Sequence, residues 1–415
     1  MSNNVKNPAP IDRADERVTH AVGVGGAIRA FLDRVRSGDL GSLPVVVGLA
    51  VIWSVFTALN PLFVSSVNLV NLLFDSSTVG VISLGIVCIL MVGEIDLSVG
   101  SVSGLASALL GMVWVNQGWP VWVTVPAVIF VGGVIGWVYS QLFNRFGMPS
   151  FVSTLAGLLA FLGLQLYVLG SSGSINLPYE TGLVKFGQVL TMPHAVSYVF
   201  AALPGVFMLV AGMRRIAQRK LGGLSAGSLN ALVLKAAAIT LALELAAFYL
   251  NLSRGVPWMF GLFAGLVATM NYALTRTKWG RSMTAVGGNR EAARRSGINV
   301  ARIYSSAFVL CGMLAATGGV LSAARLASAS QQAGTGDVNL NAIAGAVIGG
   351  TSLFGGRGSA YSALLGIIVI GSIASGLTLL DLSSSLRYMI TGAVLAVAVI
   401  VDSLARRSRV SHGRA

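Results

Sequence analysis

The run Val79-Gly80-Val81-Ile82-Ser83-Leu84-Gly85-Ile86-Val87-Cys88-Ile89-Leu90-Met91-Val92-Gly93-Glu94-Ile95-Asp96-Leu97-Ser98-Val99-Gly100-Ser101 sets two acids, Glu94 and Asp96, inside an otherwise apolar or small-residue stretch. The apolar blocks around them, Ser77–Gly93 and Leu97–Asn116, each approach the ~20 residues that match a bilayer's hydrocarbon core. Two membrane spans are therefore expected here, so nearly continuous that a broken or re-entrant helix would account for them. An ionised carboxylate is costly at the centre of a membrane, about 2.5–3.5 kcal/mol on insertion scales, so each acid needs a reason. Asp96 stands just before Leu97, where it could cap the next helix by accepting from the amides of Ser98 or Val99. Glu94 leaves two roles open: bonding backbone amides freed by the break, or lining a transport path.

Working outward, the same block pattern fills the chain. Further spans are read at Leu43–Phe63, Val121–Phe143, Phe151–Gly170, His194–Met213, Leu229–Leu250, Val256–Thr275, Ile303–Leu326, Asn341–Leu353, Ala360–Leu380 and Leu386–Ala405. That gives about 10–12 crossings within 43–405, since the Asn341–Leu353 block is short for a full one. Composition agrees. Of 415 residues, 55% are hydrophobic and 10% charged, against roughly 25% charged in soluble domains. The chain reads as an all-α polytopic helical bundle in a membrane. The net charge of +14 does not point to nucleic acid, because the charges lie between apolar blocks as the positive-inside rule expects.

Placing both termini in the cytoplasm puts 23 of the 28 Lys and Arg residues on that side. They comprise the 1–42 tail, Arg145, Arg214–Lys220, the 276–302 loop, Arg357 and the 406–415 tail; Lys185, Arg254, Arg325 and Arg387 fall outside, and Lys235 within a span. In the first tail Ile28, Phe31, Leu32 and Val35, interleaved with Arg29, Arg34 and Arg36, follow helical spacing and read as an interfacial helix on membrane lipid. A polar segment of this length is not a signal-peptide n-region. Cys88 and Cys311 fall in apolar spans and His20, His194 and His412 are scattered, so neither a disulfide framework nor a metal site is expected. Small pairs four apart, such as Gly100 and Gly104, Gly132 and Gly136, Gly261 and Gly265, and Gly345 and Gly349, allow close helix packing in lipid.

A second break, Gly349-Gly350-Thr351-Ser352-Leu353-Phe354-Gly355-Gly356-Arg357-Gly358-Ser359, echoes the first. Polar, glycine-rich breaks at corresponding places in two halves point to a transport path, with Glu94, Asp96, Ser98, Gly100, Ser101, Thr351 and Ser352 as its candidate residues. The 276–302 loop contains Gly287-Gly288-Asn289-Arg290-Glu291-Ala292-Ala293-Arg294-Arg295-Ser296-Gly297-Ile298, the sequence of a very short helix. Asn289 is an N-cap, Glu291 and Arg294/Arg295 suit the two ends of the dipole, and Gly297 suits a left-handed stop. Two turns are marginal alone, so this helix needs a surface to dock on. Gly288, Asn289, Glu291, Ala292, Arg294, Ser296 and Gly297 are its candidate docking residues. No G-x-x-x-x-G-K-[ST] loop is found, so any driving ATP must bind another subunit.

Glu94–Ser101, Pro149-Ser150-Phe151-Val152-Ser153-Thr154-Leu155-Ala156-Gly157, Gly287–Val300 and Ala344–Ser359 together carry a resemblance over nearly the whole chain. The sequence resembles the ribose/xylose-type permeases of ABC importers. The span pair around Arg214–Thr275 and the Arg254-Gly255-Val256-Pro257 turn are similar to the D-xylose permease subunits among them. Arg357 stands where that pattern has a more apolar residue. The resemblance implies a transporter subunit rather than an enzyme, with no cofactor of its own. It implies a second permease copy, two cytoplasmic ATPases binding ATP-Mg, and an extracytoplasmic sugar-binding protein that delivers a monosaccharide. A secondary, ion-coupled sugar transporter is the alternative. It would need intramembrane ionisable residues, and Lys235 and Glu244, nine positions apart, face opposite sides of one helix. A membrane enzyme would need a catalytic constellation that the sequence does not offer.

Overall fold

The computed structural model describes residues 43–400, apart from 226, 384, 387, 388, 394, 395 and 397–399. Its helices are α1 (Leu43–Leu59), α2 (Ser66–Met91), α3 (Val99–Gly111), α4 (Val121–Phe146), α5 (Ser150–Leu169), α6 (Gly182–Gln188), α7 (His194–Leu221), α8 (Leu229–Asn251), α9 (Trp258–Arg276), α10 (Lys278–Gly288), α11 (Arg290–Arg295), α12 (Val300–Leu326), α13 (Val338–Ile348) and α14 (Ala360–Leu379). One short antiparallel ladder joins β1 (Ser174–Asn176) to β2 (Ser328–Ser330), in the register Ile175 opposite Ala329. The chain is a polytopic all-α membrane protein. Among the described residues nine helices are long and apolar enough to cross a bilayer, with Val45–Leu59 and Val338–Ile348 shorter.

Several boundaries differ from the hydropathy reading, for physical reasons. The first helix stops at Leu59 rather than Phe63 because Asn60 and Pro61 begin a 3-10 turn, in which the Asn60 side chain accepts from the Leu62 amide at 3.0 Å. The helix expected at Ser77 starts eleven residues earlier, at Ser66. Its extra turns carry Asn68, Asn71 and Asp75, which lower the hydropathy but find distant partners: Asn68 accepts from Ser375 at 3.1 Å, and Asp75 pairs with Arg325 at 2.7 Å. Asp75 is thereby a charged group on a crossing helix that the sequence reading left out. The block at Asn341–Leu353 is α13, only 11 residues or about 16.5 Å long, half a bilayer. The Ile28–Val35 helix and the 406–415 tail lie outside the described residues, and the Leu386–Ala405 span lies partly outside them.

The chain divides into two compact units, Pro193–Gly255 and Gly41–Met192 with Val256–Leu404. In the first, α7 and α8 form a helical hairpin in which Ser197 and Asn251 hydrogen-bond at 2.8 Å. Gly205 admits the Thr240 hydroxyl and Gly212 the Leu232 side chain. In the second, α2, α3 and α12 are the most buried helices. Every residue of α2 from Gly80 to Met91 is buried, which is why that stretch is apolar all round rather than striped. Gly132 and Gly136 of α4 lie against the backbone of Gly312 and Phe308 in α12, where a Cβ would strike a carbonyl oxygen. This is small-residue packing of the kind expected when lipid offers no hydrophobic drive.

Candidate functional site

At Met91 the α2 helix ends, and Gly93 turns the chain at φ +83°, a conformation natural to glycine. The next residues run in irregular backbone up to α3. Irregular backbone inside a membrane protein must satisfy its amides internally, and most of those here find an acceptor. Glu94 N–H donates to the Ile89 carbonyl at 3.2 Å, Ile95 N–H to Ser150 Oγ at 3.4 Å and Leu97 N–H to Thr154 Oγ1 at 3.1 Å. Ser98 N–H donates to Asp96 Oδ1 at 2.8 Å, and Gly100 N–H to Asn339 Oδ1 at 2.9 Å. The Asn339 amide also donates back to the Leu97 carbonyl, so the start of α13 clamps the start of α3.

The two acids divide their work. Asp96 is buried; its Oδ1 takes both the amide and the hydroxyl of Ser98, and the Cys311 thiol lies 3.8 Å from Oδ2. α3 begins at Val99 rather than Leu97, so Asp96 acts through Ser98 at the helix entrance. Glu94 bonds no backbone amide. It accepts from Ser150 Oγ at 2.6 Å, while Ser150, Thr154, Asp96 and Asn339 hold the amides. Glu94 is half-buried. Burial pushes its carboxyl up from the ordinary value, while the Ser150 hydrogen bond and the Arg290 charge pull the other way. Ser101 is buried and turns its hydroxyl onto the Ser98 carbonyl at 2.9 Å; Gly100 packs against the Gly334 carbonyl.

The second break comes to the same place. Gly356 N–H donates to the Met91 carbonyl at 3.0 Å, and Gly355 meets Gly93. Thr351 is fully buried with no hydrogen-bond partner for its hydroxyl, while Ser352 closes its own turn by accepting from Phe354 N–H at 3.2 Å. The third arrival is the 276–302 loop. A Cβ at Gly287 would run into the Met91 carbonyl and the Gly356 amide. Three glycine-rich segments, far apart in sequence, thus share one node.

Beyond Gly287 the short helix α11 stands as its ends require. Asn289 Oδ1 accepts from Ala292 N–H at 2.9 Å, Glu291 lies in the first turn, and Arg294 and Arg295 lie in the last. Gly297 takes φ +81°, and Ile298 N–H closes onto the Ala293 carbonyl at 3.1 Å. Gly288, Asn289, Glu291, Ala292, Arg294, Ser296 and Gly297 are all exposed, and Ala293 alone of α11 is buried. Arg290, which the sequence reading passed over, faces the body of the protein. Its guanidinium lies 5.7 Å from the Phe143 ring centre and 5.4 Å from that of Tyr304, and its charge acts on Glu94. The Pro149–Gly157 motif also gains a purpose: Ser150 and Thr154, four apart on α5, face the break, and Gly157 leaves room for the Tyr139 hydroxyl.

Residues 68–399 match the family described as branched-chain amino acid transport system / permease component. The xylose transport system permease protein XylH of Escherichia coli is 34% identical over 351 residues, covering 83% of this chain and 87% of that protein. XylH of Haemophilus influenzae is 32% identical over 376 residues, covering 89% and 98%. The ribose import permease protein RbsC of Escherichia coli is 28% identical over 361 residues, covering 86% and 92%. No solved structure matches the chain.

Proposed function

This chain belongs to the branched-chain amino acid transport system / permease component family, and from that premise we propose that it forms the membrane path of an importer for D-xylose or a closely related monosaccharide. It is a multi-pass bacterial inner-membrane permease subunit of an ABC sugar importer, not itself an enzyme. The family implies partner ATPase and binding-protein subunits. In this reading ATP-Mg binds the ATPases, a second copy of this chain completes the path, and an extracytoplasmic binding protein selects the sugar. Arg145 and Arg357 lie at the same end of the helices as the 276–302 loop, through Asn144 bonded to the Ala301 carbonyl and Gly356 packed on Gly288. That clustering of cations supports a cytoplasmic assignment for this end.

One observation carries the coupling mechanism: the exposed α11 helix closely follows Gly287, which packs against the Met91 end of the first break and Gly356 of the second. An ATPase docked on the Asn289–Gly297 face and moving toward its twin would push on α11. Gly287 would pass that push to the Met91 carbonyl and Gly356, and Arg290 would pass it to Glu94. Both breaks sit at helix ends, where a few residues absorb the change of backbone angle. Glu94, Asp96, Ser98, Gly100, Ser101, Thr351 and Ser352 then act as a pivot beside the path.

The test is reconstitution. Alone in liposomes the chain should neither hydrolyse ATP nor accumulate sugar; with its ATPase and binding protein it should take up D-xylose on ATP addition. Proton- or sodium-driven uptake by the isolated chain would establish the ion-coupled alternative instead.

A further inference from the structure

We infer that Arg214, Arg215, Arg219, Lys220 and Lys235, gathered at one end of the α7–α8 hairpin, bind the phosphate headgroups of anionic phospholipid. The length of α7 sets their depth. His194–Met213 carries no Asp, Glu, Lys or Arg, and its twenty residues rise about 30 Å, the thickness of a hydrocarbon core. The rest of α7, Arg214–Leu221, therefore runs out through a headgroup layer roughly 5–7 Å deep. On α8, Gly212 receives the Leu232 side chain and Gly205 the Thr240 hydroxyl, so the helices run antiparallel. Lys235 is exposed near this same end, where its long stem can carry the ammonium back to the headgroups.

The cations exceed what the hairpin itself can offset. No Asp or Glu occurs in the sequence between Glu180 and Glu244. The helix dipole favours Arg219 and Lys220, which lie in the last turn of α7, but its effect fades before Arg214 and Arg215. Arg215 and Arg219 also stand four apart, where like charges repel on a helix. Arg219 Nε donates to the Ser225 carbonyl at 2.7 Å, which folds the turn back without supplying an anion. Arg214, Arg215 and Lys220 are exposed, so a phosphate from outside the chain can reach them, and guanidinium groups grip phosphate with paired hydrogen bonds.

Apolar neighbours select lipid over an acidic protein surface. Val206, Phe207 and Val210 are exposed on the stretch of α7 that precedes the cations. Past them, Leu221 is 88% exposed and Leu224 is exposed in the turn that folds back. Cations flanked by apolar side chains on both sides suit the boundary between headgroups and acyl chains. An acidic protein would match the charge and leave Leu221 and Leu224 without an apolar partner; anionic lipid serves both.

The test uses the full chain reconstituted in phosphatidylcholine vesicles, with a fluorophore attached through Gly227→Cys. Gly227 is exposed with open space at its Cβ, whereas Cys88 and Cys311 are buried, so the label reports this turn. A trace of lipid carrying a quencher near its headgroup is added as phosphatidylglycerol or as phosphatidylcholine. Phosphatidylglycerol should be enriched about tenfold or more at the label, since each cation near a charged surface is worth about fivefold. High salt should collapse the enrichment. Combining Arg214→Gln, Arg215→Gln and Lys220→Gln should bring the two lipids within about twofold of each other, whereas Arg214→Lys with Arg215→Lys should keep the preference. Equal quenching by the two lipids without these charge changes, or a preference that survives high salt, would overturn the site. Should the three-Gln variant fail to fold, the salt response and the Lys variant decide. Shielding of the label by an added ATPase subunit, with no lipid preference, would give the cations to a protein partner and overturn the site. No transport is measured, so the result is independent of the importer reading.

Discussion

The two breaks in the bundle meet at one node but are built differently. The first, from Gly93 to Ser98, is held by side chains: Ser150, Thr154, Asp96 and Asn339 take the freed amides. The second, from Gly349 to Ser359, is held by close backbone packing: Gly349 on the Ser362 carbonyl, Gly355 on Gly93 and Gly356 on Met91. Its one buried hydroxyl, on Thr351, is unbonded. Polar residues in the first break are consumed by backbone satisfaction, so acidity there is structural before it is functional. The second break depends on the absence of side chains, so its sensitivity is steric.

The largest effect should come where both designs share a contact. Gly287→Leu would drive a side chain into the Met91 carbonyl and the Gly356 amide. Overpacking typically costs about 1–3 kcal/mol, and here the struck atoms are backbone, which cannot change rotamer. Folded yield in detergent should fall sharply and uptake should be lost. A variant with normal yield and uptake would break the picture of a packed three-way node.

The next pair sets one break against the other. Thr154→Val removes the acceptor for Leu97 N–H, leaving a part-buried amide unpaired at a cost of about 1 kcal/mol. Thr351→Val is the same chemical change at a hydroxyl that bonds nothing, so it should be neutral or slightly stabilising. Thermal unfolding of the purified permease compares them, and equal shifts would erase the distinction drawn between the breaks. Asp96 gives a parallel check. Asp96→Leu should lose folded protein by orphaning both bonds from Ser98, and Asp96→Asn should be milder because an amide oxygen still accepts.

What could be read in the sequence followed the range of the forces involved. The membrane bundle was legible because hydropathy acts block by block. The α11 helix was legible because its caps are local: Asn289 bonds Ala292 and Gly297 stops the turn three residues later than Arg294. The early start of α2 was not, because Asn68 and Asp75 are made tolerable by Ser375 and Arg325, 307 and 250 positions away. The same holds for Asn339, whose clamp on α3 spans 239 positions. Arg290 looked like one more cation in a basic loop until Phe143 and Tyr304 were placed beneath it. The Ser150 and Thr154 spacing behind Pro149 was the one local signal that could have identified the partners of the first break.

The smallest expected effect is the most specific to coupling. Glu94→Gln keeps an oxygen to accept from Ser150, 2.6 Å away in the wild type, and so leaves the first break intact. It removes the carboxyl group on which the Arg290 charge acts. Folding should therefore be nearly unchanged, while the link from α11 to the break weakens. Arg290→Gln should act on the same link from the other side. It also loses its stacking over Phe143 and Tyr304, and exposed cation–π contacts are each worth about 0.5–1 kcal/mol. Sugar-stimulated ATPase activity and uptake per complex should fall by about two- to fivefold in either variant, which corresponds to about 1 kcal/mol or less. The double variant should be no worse than Arg290→Gln alone, since both changes remove one interaction. Additive losses would mean that Glu94 acts on something other than Arg290, and an unchanged Glu94→Gln would leave Gly287 as the only route from α11 to the first break.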